Sequence, residues 1–272
     1  MSFNMSRWIG FAVAAVFCLG TAAWAGDDTG EAGLELARAV HERPDGGDAI
    51  TRGTMTLTEP GRSPRTRDTF EYRLDPGEGG RLSLIRFTSP ADIADTGLLV
   101  HDHPDGTTDQ WLYLPAMDRV RRVASDRRGG RFVGSDLYFE DLEDRAPERD
   151  HHRLLGEEEW QGIATHVLES VPVAGDGSVY SRRVRWIHPE TLIPVRIDLY
   201  RGGEEPIKRF EVRRIERVQG YWTEMESTMT DLESGHETRL TVEKVVYDQG
   251  LPESLFTARG LADPELERQY RP

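Results

Sequence analysis

Apolar and polar residues alternate along most of this chain, and Gly, Pro or Asp interrupts the alternation at short intervals. A period of two residues is typical of β-strands that bury one face. The pattern predicts strands at residues 50–58, 67–74, 82–87, 97–101, 109–114, 119–123, 151–155, 163–173, 179–187, 193–200, 207–218, 221–232 and 238–247. Many strands joined by short turns predict a mainly β fold built on an antiparallel sheet.

A sheet with this many strands would expose long edges if it were flat, so we expect it to curl. Helical signals occur at residues 29–42 and 135–142, and residues 252–256 are expected to add one further turn. Helices that cover the concave face of a curled sheet would enclose a cavity. Because no linker-like stretch interrupts the pattern, we expect residues 26–272 to form a single domain.

The first 25 residues have the organisation of a secretory signal. Arg7 precedes an apolar stretch at residues 8–19, and the sequence Ala-Trp-Ala at 23–25 fits the small-x-small cleavage rule. We therefore expect cleavage after Ala25 and a mature protein in the periplasm. An uncleaved amino-terminal anchor is the alternative.

The chain has 272 residues and a formal net charge of −14. Phosphate backbones are bound by basic surfaces, so this charge argues against nucleic acid as a partner. The single cysteine, Cys18, lies within the signal segment. We therefore expect a mature protein without disulfides, whose stability depends on its own core.

Three segments follow one another in the middle of the chain: DIADTGLLV, DQWLYLPAMDRVRRV and FVGSDLYFEDL. In this order they resemble the outer-membrane lipoprotein-sorting proteins, periplasmic relatives of the lipoprotein carriers LolA and LolB, over about residues 50–260. The resemblance implies an incomplete, half-open antiparallel β-barrel whose short helices cover an apolar concavity. Members of this family often sit beside RND-type transporters. The implied function is to carry a lipid, an acylated protein or a similar apolar cargo.

The central segment also contains the candidate binding residues. The aromatic and apolar side chains expected to bind lipid are Trp111, Leu112, Tyr113, Leu114, Phe132, Leu137, Tyr138 and Phe139. These side chains could equally belong to an ordinary core. The arginines expected to contact a lipid headgroup or a partner are Arg121, Arg122, Arg127 and Arg128, because guanidinium groups bind oxyanions well. The alternative is that these arginines pair with the acidic residues that follow them.

No catalytic residue, metal or cofactor is expected. Residues 101–106, H-D-H-P-D-G, match five of the six positions of the H-x-H-x-D-H zinc motif of metallo-β-lactamase-like hydrolases, but Gly106 replaces the last ligand. No G-x-S-x-G elbow or phosphate-binding loop occurs. A monomeric, non-enzymatic carrier is therefore favoured. The alternatives are an accessory subunit that docks on an envelope transporter and a hydrolase with an unrecognised site.

Overall fold

The structure is a computed structural model that describes residues 28–77 and 79–272. The signal segment at residues 1–25 lies outside the described residues. One helix precedes the sheet, α1 (Asp28–His41), as the pattern at residues 29–42 predicts. The strands are β1 (Asp48–Thr58), β2 (Arg65–Gly77), β3 (Gly80–Ser89), β4 (Gly97–Asp102), β5 (Thr108–Leu114), β6 (Arg119–Arg122), β7 (Asp150–Trp160), β8 (Ile163–Pro172), β9 (Arg182–Ile187), β10 (Pro194–Tyr200), β11 (Lys208–Val218), β12 (Tyr221–Asp231) and β13 (Glu237–Tyr247).

All thirteen strands belong to one antiparallel sheet, in the order β6-β5-β4-β3-β2-β1-β13-β12-β11-β10-β9-β8-β7. This confirms the strands that the alternating pattern predicts. The chain runs outward from β1 to the edge strand β6, crosses to the opposite edge strand β7, and returns to the middle at β13. The sheet curls into a half-open barrel and does not close.

Residues 123–149, which we call the inner segment, connect the two edge strands and therefore have to cross the open barrel. Its buried side chains Phe132, Leu137 and Tyr138 form one cluster with residues from both halves of the sheet. Phe87 on β3 and Met229 on β12 both belong to that cluster, although their strands are far apart in the sheet. The inner segment thus fills part of the concave face.

The predicted helix at residues 135–142 is wrong. Only one 3-10 turn forms there, at Phe139–Leu142, and Ser135 is extended. The physical reason is that the Asp136 carboxylate accepts hydrogen bonds from His236 and Thr238 instead of capping a helix. A left-handed backbone at Val133 and Gly134 also separates this stretch from the residues before it.

The carboxy-terminal residues cover the convex face of β1–β6. They comprise a 3-10 turn at Glu253–Leu255, which confirms the turn predicted at 252–256, and two short helices, α2 (Ala258–Ala262) and α3 (Glu265–Arg268). Leu255, Phe256 and Leu261 pack there against Tyr72 and Leu84. Both faces of this half of the sheet are therefore buried. Among the described residues, no helix combines the length and the apolar character needed to cross a bilayer.

Helix α1 lies directly against β7 at the other edge. Gly33 makes this contact possible, since a Cβ atom there would lie only 2.9 Å from the backbone nitrogen of Arg153. Ala37 is buried in the same contact, where it packs with Leu168 and Ile187. A small-residue stripe thus brings the helix close to the open side of the barrel.

One buried ion pair fastens the carboxy-terminal helices to the sheet. The Arg86 guanidinium on β3 donates to both carboxylate oxygens of Glu267 at 3.1 and 3.2 Å, and both side chains are almost completely buried. Arg86 also donates to the backbone carbonyl of Leu261 at 2.8 Å. Removing one member of such a pair leaves the other charge buried without a counter-ion.

We therefore expect Glu267→Ala to lower the free energy of unfolding by about 3–5 kcal/mol. Glu265→Ala is the matched control, because Glu265 pairs with Arg268 in the same helix while both side chains stay exposed, and its loss should change stability by less than about 1 kcal/mol. Urea titrations followed by tryptophan fluorescence measure both. Equal effects of the two substitutions would contradict this role of the Arg86–Glu267 pair.

Candidate functional site

Five of the eight expected lipid-binding residues come together on the concave face. They are Leu112 on β5 and the inner-segment residues Phe132, Leu137, Tyr138 and Phe139. The rings of Phe132 and Phe139 lie 6.0 Å apart, and Phe132 lies 5.6 Å from Phe87. These five side chains pack against one another and against the sheet, and so fill this part of the concave face. Their contact with cargo stays a prediction.

Two of the expected lipid-binding residues lie on the opposite face of β5. Trp111 packs edge-on against His101 at 4.9 Å, and Tyr113 is buried under the carboxy-terminal helices. Alternation along a strand requires this separation, because neighbouring side chains point to opposite faces. Leu114 is half-buried at the end of β5.

Buried polar contacts hold the inner segment in the barrel. Lys208 on β11, which is 1% exposed, donates its ammonium to the backbone carbonyl of Asp136 and lies 2.8 Å from the centre of the Tyr138 ring. Its nitrogen is 3.6 Å from Asp141, whose carboxylate also accepts from Tyr180 at 2.8 Å. Burial lowers the pKa of Lys208 to about 8, although Asp141 and Asp136 act to raise it.

A second set of contacts fixes the end of the inner segment that faces β9. The Glu140 carboxylate accepts from Arg183, from Ser178 and, at 2.8 Å, from the backbone nitrogen of Val179. Gln110 donates to the carbonyl of Phe139 at 2.8 Å from the other side. The segment is therefore attached to strands at both sides of the barrel.

A cavity of about 370 Å³, which we call the α1 cavity, lies between α1, the inner segment and the inner face of β9–β12. Its volume lies at the lower end of the range of roughly 300–1,000 Å³ that is usual for small-molecule sites. One wall is apolar and is formed by Val40, Leu137, Ile197, Leu199, Phe210 and Met229. The inner segment thus fills one part of the concave face, and the α1 cavity leaves another part open to a ligand.

The opposite end of the α1 cavity is polar. Ser170 on β8 is fully buried and lies between two side chains of the lining: its hydroxyl accepts from Arg185 at 2.7 Å and lies 2.9 Å from Nδ1 of His152. Nε2 of His152 is 2.7 Å from the carbonyl of Pro147, which can only accept. The hydrogen-bond network therefore assigns the proton to Nε2, and burial lowers the pKa of His152.

The four arginines expected to contact a headgroup or partner do not line the α1 cavity. Arg121, Arg122 and Arg127 are exposed at and beyond the edge strand β6, and Arg122 pairs with Asp109. Arg128 is partly buried and lies 3.2 Å from Glu143, so the expected alternative of acidic pairing applies to it. A contact between these arginines and a headgroup or partner stays a prediction.

The residues of the H-D-H-P-D-G motif point in different directions. Nε2 of His101 lies 2.8 Å from the carbonyl of Phe256 on the convex side, whereas His103 pairs with Asp109 at 3.2 Å. Asp102 faces the barrel interior, where burial raises its pKa to about 6. In the described part of the chain, no group of three or more His, Cys, Asp or Glu side chains is arranged to ligate one metal ion.

Known proteins with this architecture were found in two comparisons. A protein-family model described as an uncharacterized protein matches residues 79–263. A crystal structure of an outer membrane lipoprotein-sorting protein domain from Vibrio parahaemolyticus superposes with a TM-score of 0.81 at 30% identity, and the match covers 86% of this chain and all of that one. The chain belongs to the outer-membrane lipoprotein-sorting protein family.

Two further solved structures are similar to this chain. A DUF1329 family protein from Desulfovibrio piger is 29% identical with a TM-score of 0.81, and the match covers 86% of this chain and 99% of that one. A LolA superfamily protein from Nitrosomonas europaea is 18% identical with a TM-score of 0.64, over 85% and 99% of the two chains. The last likeness shows the LolA-like fold alone. The comparison with curated proteins gave no match.

Sequence reasoning missed the polar end of the cavity. Arg183 and Arg185 alternate with Val184 and Trp186 on β9, a pattern in which both faces carry large side chains. An arginine between apolar neighbours on a central strand was the available signal, because a charge there needs an internal partner. The expected arginine cluster drew attention to the exposed edge of the sheet instead.

The buried ammonium of Lys208 predicts a specific dependence of stability on pH. The unfolded chain keeps this proton up to the ordinary pKa of 10.5, whereas the folded protein releases it near pH 8. Stability therefore rises with pH within this window. Relative to Lys208→Met, the wild-type protein should gain about 2 kcal/mol between pH 8 and pH 10.

Denaturant titrations at several pH values measure this gain. The matched control is Lys244→Met, which removes an exposed lysine on β13 and should give stabilities that run parallel to wild type. If the Lys208→Met and wild-type stabilities also stayed parallel from pH 8 to pH 10, the ammonium would not be desolvated as the structure indicates.

Proposed function

We propose that this protein is a periplasmic carrier that binds a lipid, the acyl chains of a lipoprotein or a similar apolar cargo in the α1 cavity. Export through a signal cleaved after Ala25 is part of this proposal. The observation that carries it is the apolar wall of the cavity, which the inner segment and the sheet build together. The name of the similar Vibrio parahaemolyticus domain, an outer membrane lipoprotein-sorting protein, supports the same function.

The binding energy of such a carrier comes from burial. Each methylene that leaves water contributes about 0.8 kcal/mol, so an acyl chain gains affinity with length as long as the cavity accepts it. Ile197, Leu199 and Met229 supply the matching surface. No chemical step is proposed. The Ser170 hydroxyl beside His152 is fully buried, and it already accepts a hydrogen bond from Arg185.

A longer chain would have to share the concave face with the inner segment. Phe132 and Phe139 already occupy the half under β3–β5. We propose that cargo larger than the cavity displaces these side chains, and that they then contact it. In this way the expected lipid-binding residues of the inner segment are part of the core in the empty protein and part of the binding surface in the loaded protein.

The transfer partner is proposed to be an RND-type transporter. The exposed arginines Arg121, Arg122 and Arg127 lie at the β6 edge, away from the cavity, and suit contact with an acidic partner surface or with headgroups. Cargo binding and partner contact would then use different parts of the molecule.

The carrier function predicts that filling the α1 cavity weakens cargo binding. Val40 lines the cavity from α1, so Val40→Trp should place an indole where the acyl chain lies. Exclusion of two methylenes alone removes about 1.6 kcal/mol, and we expect the affinity for a fluorescent fatty-acyl probe to fall at least about tenfold. The measurement is a fluorescence titration of delipidated protein.

Glu35→Trp is the control, because Glu35 is exposed on the same helix. It should bind the probe like wild type, and thermal unfolding should show both variants to be folded. A folded Val40→Trp protein with wild-type affinity would show that the cargo does not use this cavity and would favour the accessory-subunit alternative.

A further inference from the structure

Arg185 is a partly buried cation at the polar end of the α1 cavity. Its side chain lines the α1 cavity, and among the described residues no carboxylate lies within ion-pairing distance of it. One nitrogen donates to Ser170 at 2.7 Å, whereas Nε is shielded from solvent and has no hydrogen-bond partner in the described part of the chain. A cation removed from water without an ion-pair partner is costly, so an external anion that paired with Arg185 would offset this cost.

The neighbouring charges do not neutralise Arg185, because they are already paired with one another. Asp150 accepts from Arg145 at 2.7 and 2.9 Å and lies 3.6 Å from Arg183. Arg183 also forms an ion pair with Glu140. Arg145 and Arg183, rather than Arg185, are thus the ion-pair partners of these two carboxylates. Burial accordingly lowers the pKa of Arg185 to about 10.

Neutral partners fix the position of the Arg185 side chain. Ser170 accepts from Arg185 and donates to Nδ1 of His152, which itself donates from Nε2 to the carbonyl of Pro147. In this hydrogen-bond network Ser170 and His152 each accept one hydrogen bond and donate one. The guanidinium is therefore held in position by neutral groups, which leave its positive charge without an ion-pair partner. It can pair with an anion that enters the cavity.

The apolar wall begins directly beside this charge. Arg185 on β9 is the cross-strand partner of Ile197 on β10, and Arg183 is the partner of Leu199. Directly opposite residues on one sheet face have Cβ atoms about 5 Å apart. A molecule bound here would meet a cation at one end and aliphatic side chains immediately next to it.

We propose that Arg185 binds the anionic headgroup of an amphiphile, a carboxylate or phosphate, whose hydrocarbon chain lies along Ile197 and Leu199. This inference rests on the proposed carrier function and specifies its cargo as an anionic single-chain amphiphile or the anionic end of a larger lipid. Arg185 acts as a hydrogen-bond donor and counter-charge, and no covalent step is involved. The site is separate from the exposed arginines at the β6 edge.

The test compares two ligands that differ only in the headgroup. Delipidated protein is titrated calorimetrically with dodecanoate and with dodecanol, using wild type, Arg185→Gln and Arg182→Gln. Arg182 is the matched control, because it lies on the opposite face of the same strand, where it packs over Tyr200. Arg185→Gln should weaken dodecanoate binding about 10- to 100-fold, as expected for a charge-assisted hydrogen bond, and dodecanol binding by less than about twofold. Arg182→Gln should change neither.

Stability gives a second, independent readout. Because Arg185 has no internal counter-charge, Arg185→Gln should leave the denaturation midpoint of the empty protein unchanged or raise it. A clearly lower midpoint would show that Arg185 is a structural residue and would overturn the proposal. So would equal losses for dodecanoate and dodecanol, or no loss for either.

Three outcomes distinguish failure of this inference from failure of the proposed carrier function. If acetate binds wild type as tightly as dodecanoate, the site serves a free anion and not an amphiphile, and the inference is wrong. If neither twelve-carbon ligand binds wild type, the proposed carrier function itself fails. Binding of both ligands to wild type with unchanged affinities in Arg185→Gln would leave the carrier intact and refute only the headgroup site.

Discussion

The connection between the two edge strands determines the interior of this protein. Because β6 and β7 are consecutive in the chain but lie at opposite edges of a thirteen-stranded sheet, the residues between them must cross the open barrel. Apolar burial alone would not fix their path, since it is non-directional. Buried polar contacts supply the direction: Asp136 is bound by His236 and Thr238 at one side, and Glu140 by Arg183 at the other.

This crossing divides the concave face into two parts with different properties. Under β3–β5 the aromatic side chains of the inner segment complete an ordinary core. On the side of β9–β12 the segment contacts the sheet through Lys208 and Arg183. The α1 cavity lies beside these contacts, and α1, placed by Gly33 against β7, covers it. The inner segment, α1 and the inner face of β9–β12 therefore enclose the cavity together. Arg185 at the polar end lies on β9, and Ile197 in the apolar wall lies on the adjacent strand β10. The pairing register of these two strands therefore places the charge beside the apolar wall.

Sequence reasoning recovered every strand, the first helix and the family, because alternation and ordered motifs are local signals. It did not recover which face of each strand points inward. Trp111 and Leu112 were both predicted to bind lipid, yet they lie on opposite faces of β5. Each of these two faces is covered by other residues of the protein. When the convex face is covered as well, alternation no longer distinguishes inside from outside. The helix predicted at residues 135–142 is wrong for a similar reason: Asp136 binds His236 and Thr238, which are about a hundred residues away, and no local pattern reveals them.

The proposed carrier function requires an acyl-chain cargo to occupy the α1 cavity in the cell. The most direct measurement is native mass spectrometry of the protein purified from its own envelope, followed by lipid analysis of the released ligand. The account predicts an additional mass corresponding to one anionic amphiphile per protein chain, which dissociates as a lipid. Protein that is uniformly ligand-free, and that copurifies with a membrane transporter instead, would contradict it.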